Sequence, residues 1–185
     1  IAVDDGSSDR SFAVLKEFHA RDPRLRVERL LRNFGQHPAT YAGFHHVRGR
    51  VVVTIDADLQ NPPSEIPKVI DKLEEGYDAV QGWRVGRQDN PLRKVASRGM
   101  NGLVSYLIGR PIRDVGCALK CWRREVVDRM VSANHSFRYI PAETAWLGVS
   151  LAEVPVEHNE RAAGKSKYNL FKLLRASFDM MVSIS

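Results

Sequence analysis

The sequence contains few cysteines and no long apolar run, and each absence excludes a class of protein. Cys117 and Cys121 are its two cysteines, and they lie four positions apart. Common zinc sites need cysteine pairs separated by two residues, so this spacing argues against such a site. We interpret both side chains as reduced thiols in the core, as expected in a reducing compartment. No apolar stretch reaches the length that a membrane-spanning helix needs.

Negative charge is also in short supply. The chain has 28 Lys and Arg residues against 22 Asp and Glu residues, which gives a net charge of +6. This sign favours an anionic partner, such as a nucleic acid, a phosphorylated small molecule or an anionic membrane. Charge alone does not choose among them, because a basic soluble protein with no such partner has the same composition. The length of 185 residues suits one globular domain with a hydrophobic core.

Strand-like and helical patterns alternate through the first half of the sequence. Strand patterns occupy 1–3, 25–30, 51–55 and 78–83, and helical patterns lie between them. In the first helix, Phe12, Leu15 and Phe18 are predicted to face inward. This alternation predicts right-handed βαβ units, and hence an α/β fold with a mostly parallel central sheet flanked by helices.

The second half begins with a basic loop at 84–98. This loop leads into a helix predicted at 92–108. Four further elements are predicted after that helix: a strand at 118–122, helices at 124–131 and 141–149, and a strand at 151–156. The final segment, 167–185, is amphipathic and basic. Such a helix can lie in a membrane interface or dock on the core. We therefore divide the chain into a globular domain, 1–166, and an amphipathic helix, 167–185.

The sharpest chemical motif is a carboxylate pair at the end of an apolar strand. The β-branched run 51–55 is typical of a strand covered on both faces, and ligands bind beyond the carboxyl ends of such strands. Asp56 and Asp58 point the same way if the chain stays extended, and their charges repel unless a cation lies between them. Oxygen ligands favour Mg²⁺ or Mn²⁺, completed by substrate phosphates. Gln60, the next residue on that side, can add a carbonyl oxygen.

Other interpretations of this motif are weaker. An EF-hand loop starting at Asp56 needs glycine at its sixth position and glutamate at its twelfth, where the chain has Asn61 and Pro67. A phosphatase with an aspartyl nucleophile also places such a pair after a strand. A pair of exposed loop carboxylates that caps a helix remains the structural alternative.

Two further motifs are less specific alone. Asp4 and Asp5 follow the first strand, where carboxylates can accept hydrogen bonds from a base or ribose, although the same residues form ordinary turns. The basic run 161–168 supplies the Arg and Lys side chains that stabilise a leaving diphosphate, although it is equally a solvated charge run.

Taken together, the stretches 3–9, 56–63 and 161–168 resemble the family 2 glycosyltransferases that act on polyprenyl phosphates. The stretches 33–37, 86–89 and 114–117 resemble the bacterial undecaprenyl-phosphate members of that family. The resemblance implies a GT-A nucleotide-diphospho-sugar transferase fold. It also implies metal-dependent, inverting transfer of a sugar from a nucleoside-diphosphate sugar to an undecaprenyl or dolichyl phosphate. The reaction would take place at the cytoplasmic face of the cell membrane, with no role for nucleic acid.

The resemblance also implies roles for individual residues. Asp4 and Asp5 would contact the nucleoside. Asp56, Asp58 and Gln60 would hold Mg²⁺ or Mn²⁺ and the donor's diphosphate. Lys167 would also contact this diphosphate. The remaining implied residues are Asp114 and Arg161 at the reacting centre, and Arg84, Arg87, Arg93 and Arg98 on the side of the acceptor phosphate.

The chain departs from this family at both ends. It starts inside an apparent strand at 1–3, so we expect an N-terminally truncated catalytic domain that lacks the family's first strand and the nucleoside contacts made there. It stops inside the predicted juxtamembrane helix, without the transmembrane helices that often follow. A membrane surface is an expected partner, and a homo-oligomer is compatible with the pattern. The alternative function is a non-catalytic module that binds a nucleotide sugar or a membrane.

Overall fold

The computed structural model describes residues 1–85, 111–133 and 140–159, together with 99, 101–102, 105–106 and 109. The strands in these ranges are β1 Ala2–Asp4, β2 Val27–Arg29, β3 Val51–Thr54, β4 Ala79–Arg84, β5 Lys120–Arg123 and β6 Leu151–Val156. The helices are α1 Ser11–Arg21, α2 Gln36–Phe44, α3 Ile66–Glu74, α4 Arg124–Ser132 and α5 Ile140–Trp146, with a 3-10 turn at Pro63–Glu65. None of the helices described here has the length and apolar composition to cross a membrane.

The strands form two hydrogen-bonded sheets. β1 and β2 pair in parallel, and the other four strands lie in the order β3-β5-β4-β6. β4 and β6 are parallel, whereas β5 runs antiparallel to both β3 and β4. Three strands of the larger sheet therefore share one direction and β5 is reversed. The predicted α/β fold with a central sheet and flanking helices is confirmed, and the reversed strand makes the larger sheet mixed.

The reversed strand gathers chain ends at one edge of the sheet. Lys120, the first residue of β5, pairs with Thr54 near the end of β3 and with Gln81 in β4. The segment before β5 therefore lies at the edge where β3 and β4 end. The two segments that follow those strands, which include the predicted acidic pair and Arg84, are placed at the same edge.

The larger sheet is covered on both faces by apolar clusters. On one face Phe44 of α2 meets Trp122 of β5 edge to face, with ring centroids 5.5 Å apart. On the other face, Val69 and Leu73 of α3 are fully buried. The first cluster consists of Tyr41, Phe44, Val52, Ala79, Trp122, Val126, Val127, Met130, Ile140 and Val149. The second consists of Val69, Leu73, Val80, Cys117, Leu119, Cys121, Ala152, Val154 and Val156, so both cysteines lie in the core as predicted.

The first helix is less buried than predicted. Phe12 and Leu15 of α1 are half-buried, but Phe18 is 53% exposed, so its predicted inward orientation is wrong. Within the described part of the chain the helix packs mainly on the pair β1–β2, and two short strands present too little apolar surface for three large side chains. The guanidinium of Arg29 stacks over the Phe12 ring at 4.5 Å, so part of this contact is cationic.

Other element boundaries differ by a few residues from the predictions. α2 begins at Gln36, two residues before the predicted start, and α5 ends at Trp146 because Gly148 turns the chain with a φ of +65°. The strand predicted at 118–122 is found at Lys120–Arg123. Positions 99, 101–102 and 105–106 are helical, in agreement with a helix at 92–108. The amphipathic segment 167–185 lies outside the described residues.

The loop after β1 is packed tightly against the loop after β2. Gly6 has a φ of +65°, and a Cβ added there would lie 2.4 Å from the backbone carbonyl carbon of Arg32. The position therefore requires glycine both for its left-handed conformation and for the close approach of the two backbones.

Replacing this glycine tests the close approach. Gly148 also has a φ of +65°, but a Cβ there meets nothing within 4 Å, so it is a matched control. We expect Gly148→Ala to cost roughly 1–2 kcal/mol from the left-handed conformation alone. Gly6→Ala should cost at least about 1 kcal/mol more, because the backbone of the neighbouring loop must also move. Urea denaturation measures both values, and equal losses would contradict the predicted contact.

Glu143 is a buried carboxyl group inside α5. It is 7% exposed, and within the described part of the chain its Oε2 atom has no hydrogen-bond partner. Burial raises the pKa of Glu143 to about 7. The folded protein therefore keeps a proton on this residue at pH values where the unfolded chain has lost it.

This carboxyl group should make stability depend on pH. Its folded-state pKa is raised, so its favourable contribution is complete below the unfolded value of about 4.3 and is lost as the pH rises through about 7. We expect Glu143→Gln to stabilise the protein by roughly 1–3 kcal/mol at pH 8 and by much less at pH 4. Denaturation at the two pH values measures this, with the exposed Glu125→Gln as control. A gain for Glu143→Gln that is identical at both pH values would show that the carboxyl group does not titrate as described.

Candidate active site

The turn after β2 holds the carboxylate of Asp5. The backbone N–H of Phe34 donates to Oδ1 of Asp5 at 2.8 Å. The backbone N–H of Gly35 and the side-chain amide of Asn33 donate to Oδ2 at 2.9 and 2.8 Å. These three hydrogen bonds fix the orientation of Asp5. Because a carboxylate oxygen can accept two hydrogen bonds, Oδ1 keeps acceptor capacity toward a ligand.

The same turn reaches the second acidic loop. Gln36, the first residue of α2, donates a hydrogen bond from Nε2 to Oδ1 of Asp56 at 2.9 Å. The segment 33–36 therefore contacts both Asp5 and Asp56, which follow strands of two different sheets. We predicted two acidic strand ends in one sheet; this is wrong, because β1 and β3 lie in separate sheets, but the bridge through Gln36 still links the two acidic loops.

Asp4 has a more internal position. It is 4% exposed, and the backbone N–H of Ser7 lies 3.3 Å from its Oδ2 atom. The Nε atom of Arg29 is 3.4 Å from the same oxygen. These contacts close the loop after β1, so Asp4 supports the position of Asp5. The nucleoside-binding roles of both residues stay predictions.

Asp56 and Asp58 lie in a turn rather than in a continuing strand. β3 ends at Thr54, and Leu59 has a φ of +60°, so the alternation expected of an extended chain does not reach Gln60. Oδ1 of Asp58 accepts a hydrogen bond from the backbone N–H of Gln60 at 3.1 Å, which stabilises the turn. The turn nevertheless keeps the two carboxylates close enough to influence each other.

The pKa of Asp56 reports the crowding of charge at this site. Asp56 is exposed to water, yet nearby protein atoms partly desolvate its carboxyl group. This desolvation, and then the neighbouring Asp58 carboxylate, raise the pKa of Asp56 above its ordinary value. The hydrogen bond from Gln36 and the charges of Lys120 and Arg84 act in the opposite direction. All five groups therefore belong to one electrostatic site.

This donor set fits a hard divalent cation that is shared with a substrate. Within the described residues, no group of three or more His, Cys, Asp or Glu side chains converges as a complete metal cage. Mg²⁺ and Mn²⁺ are commonly held by one or two carboxylates, with water and substrate phosphates filling the other positions. Asp56 and Asp58 supply that number of carboxylates, and a cation would relieve the repulsion that raises the pKa of Asp56.

Gln60 connects the acidic turn to the segment after β6. Its carbonyl oxygen accepts a hydrogen bond from the backbone N–H of Asn159 at 2.8 Å. Its amide nitrogen lies 3.4 Å from Nε2 of His158. The predicted metal-ligand role of Gln60 stays a prediction, and these contacts also hold residues 158–159 against the acidic turn.

Asp114 and Arg84 form a bidentate ion pair. Nε of Arg84 donates to Oδ2 of Asp114 at 2.6 Å, and Nη2 donates to Oδ1 at 2.8 Å. The backbone N–H of Arg84 adds a third bond at 3.2 Å, and both side chains are largely buried. The sequence predicted Asp114 at the reacting centre and Arg84 on the acceptor side. The structure joins them, so they act as one unit at the end of β4.

The sequence analysis missed three residues of this site. Gln36, Gln81 and Lys120 were not singled out, although a lysine between Leu119 and Cys121 interrupts an apolar strand and was a usable signal. His37 follows Gln36 in α2. Burial, and then the charge of Lys120, lower the pKa of His37 to about 4, so it is neutral at pH 7. Arg87, Arg93, Arg98, Arg161 and Lys167, the other predicted site residues, lie outside the described residues.

The comparison with solved structures shows the fold. Glucosyl-3-phosphoglycerate synthase from Mycobacterium tuberculosis, in complex with phosphoglyceric acid, is 18% identical with a TM-score of 0.66, and the match covers 100% of this chain and 66% of that one. The same synthase in complex with Mn²⁺, uridine-diphosphate and glucosyl-3-phosphoglycerate is 17% identical with a TM-score of 0.69, covering 98% and 67%. The predicted GT-A fold is confirmed.

The comparison with curated sequences gives nearer relatives. The undecaprenyl-phosphate 4-deoxy-4-formamido-L-arabinose transferases of Edwardsiella ictaluri (strain 93-146) and Enterobacter sp. (strain 638) are 42% and 41% identical over 100% of this chain. The chain spans 57% of the length of each. These names agree with the resemblance at 33–37 and 114–117. The model of the family described as glycosyl transferase family 2 matches residues 1–139. The chain belongs to glycosyl transferase family 2.

Proposed function

We propose that the protein transfers a sugar from a nucleoside-diphosphate sugar to a polyprenyl phosphate, with inversion, at the cytoplasmic face of the membrane. The main support for this proposal is that Asp56 and Asp58 lie at the same edge of the sheet as the Asp114–Arg84 pair. The names of the curated relatives support undecaprenyl phosphate as the acceptor.

The donor site is built from the two acidic loops. Asp5 would accept hydrogen bonds from the nucleoside, and its fixed orientation against the turn 33–35 supports this role. Asp56 and Asp58 would hold Mg²⁺ or Mn²⁺, which when bound stabilises the negative charge on the departing diphosphate. Solved neighbours contain Mn²⁺ together with uridine-diphosphate, which supports this arrangement. Arg161 and Lys167 are proposed to contact the donor's phosphates.

The acceptor needs little help to become a nucleophile. The second pKa of a phosphate monoester is about 6, so the acceptor phosphate is largely dianionic at pH 7. One of its oxygens attacks the anomeric carbon, the bond from that carbon to the diphosphate breaks, and the nucleoside diphosphate leaves with the electron pair. No enzyme nucleophile and no strong base are required. Positioning and charge stabilisation then supply most of the acceleration.

The Asp114–Arg84 pair suits such a positioning role. Its carboxylate accepts three hydrogen bonds from Arg84, so it is a poor base but a rigid one. The guanidinium faces a site that must accommodate two phosphate-bearing substrates, and Asp114 fixes its direction. The further residues proposed to bind the acceptor phosphate are Arg87, Arg93 and Arg98.

Removal of one acidic ligand tests the proposal. We expect Asp58→Asn in the full-length protein to lower the rate of transfer by at least about 100-fold, because the leaving diphosphate loses its bound cation. The assay follows the mass of the lipid product formed from undecaprenyl phosphate and a panel of nucleotide sugars. The exposed residue Asp71 of α3 gives the control Asp71→Asn, which should retain wild-type activity.

Three outcomes would contradict the proposal. Transfer by Asp58→Asn at the wild-type rate would remove the metal–diphosphate role of the pair. Release of inorganic phosphate from a monoester, without any lipid product, would instead identify a phosphatase. Donor binding without product from any nucleotide sugar would identify a non-catalytic module.

A further inference from the structure

Lys120 is a buried cation beneath the candidate active site. It is the first residue of β5, between β3 and β4, and only 9% of its surface is exposed. A lysine in the middle of a sheet is costly unless its ammonium group finds partners. Burial lowers the pKa of Lys120 to about 8, and the ammonium form still predominates at pH 7.

All three hydrogen-bonding directions of the ammonium group are used. Nζ donates to the carbonyl oxygen of Cys117 at 2.7 Å and to that of Val115 at 3.1 Å. It also donates to Oε1 of Gln81 at 2.9 Å. An ammonium group has three donors, so this arrangement satisfies it fully.

These bonds fix the loop that carries Asp114. The side-chain amide of Gln81, whose oxygen accepts from Lys120, donates in turn to the backbone carbonyl of Asp114. The loop 114–117 is therefore attached to the strands at three carbonyl groups, at Asp114, Val115 and Cys117. The same loop presents the Asp114 carboxylate to Arg84.

The arrangement also places a positive charge under the acidic residues. The charge of Lys120 opposes the burial and the Asp58 repulsion that raise the pKa of Asp56. An apolar side chain in this position would pack in the sheet at lower cost, but it would provide neither the three bonds nor the charge. The features together favour a function for the lysine beyond stability.

We propose that Lys120 is a positioning residue for the transfer reaction, whose ammonium group holds the loop 114–117 over the ends of β3 and β4 and so fixes the Asp114–Arg84 pair. This inference rests on the proposed function. The three donors of its ammonium group are used by protein oxygens, so it acts through Gln81 and the loop that carries Asp114.

The experiment compares four forms of the full-length protein: wild type, Lys120→Met, Lys120→Arg and the control Lys72→Met. Lys72, near the end of α3, makes a surface ion pair with Glu75, the residue that follows the helix. Transfer to undecaprenyl phosphate is measured with a nucleotide sugar that the wild type accepts. We expect Lys120→Met to lower kcat at least about 10-fold and to change the donor KM by a smaller factor, since the loop moves while the donor ligands remain and only lose a nearby charge. Lys120→Arg should retain more of kcat, because it keeps a charge and donors.

A second readout does not depend on transfer. Cys117 is 1% exposed and its carbonyl is one of the groups held by Lys120. Its alkylation by iodoacetamide, followed by mass spectrometry, should be faster in Lys120→Met than in the wild type. If the wild type itself makes no lipid product, the proposed function fails, while faster alkylation still supports the anchoring of the loop.

A milder variant tests the same network if Lys120→Met does not fold. Gln81→Met removes one partner of the ammonium group, and it should lower kcat in the same direction by a smaller factor, with donor KM unchanged. In the double variant the two losses should be less than additive, because both act on one network. Wild-type kcat in Gln81→Met or in a folded Lys120→Met would overturn the proposal, as would unchanged alkylation of Cys117.

Discussion

Repulsion between two neighbouring carboxylates is the constraint around which this edge of the sheet is arranged. Asp56 and Asp58 follow β3 in one turn, and desolvation, together with the repulsion from Asp58, raises the pKa of Asp56. The amide of Gln36 and the charges of Lys120 and Arg84 act in the opposite direction and lower the pKa of Asp56. These groups reduce the repulsion without forming a complete cage, which leaves the carboxylates suited to a cation brought together with an anionic substrate.

The reversed strand β5 makes this arrangement possible. A strand that begins at the edge where β3 and β4 end brings its first residue, Lys120, directly under the site. The loop before it, 114–117, lies over the same strand ends and carries the carboxylate that holds Arg84. Lys120 and the loop to which its ammonium group donates hydrogen bonds thus lie on consecutive stretches of chain.

Local patterns predicted much of the fold and the acidic residues. The run 51–58 announced both a buried strand and the carboxylates after it, because hydrophobicity and charge there are properties of adjacent residues. The pairing of Asp114 with Arg84 and the bonds from Lys120 to Gln81 join residues that are remote in sequence, and no local spacing encodes them. The prediction that Phe18 faces inward was wrong because helical periodicity does not show how little of the sheet the helix covers.

We propose that the edge of the sheet where β3 and β4 end binds a nucleotide-sugar diphosphate through a divalent cation for transfer to a lipid phosphate. It is tested most directly by incubating the full-length protein with undecaprenyl phosphate and a nucleotide-sugar panel, with Mg²⁺ or Mn²⁺ and in parallel with EDTA. We expect one donor to give a glycosylated undecaprenyl phosphate of the corresponding mass, and EDTA to abolish it. An undiminished product in EDTA, or no lipid-linked product from any donor, would contradict the account.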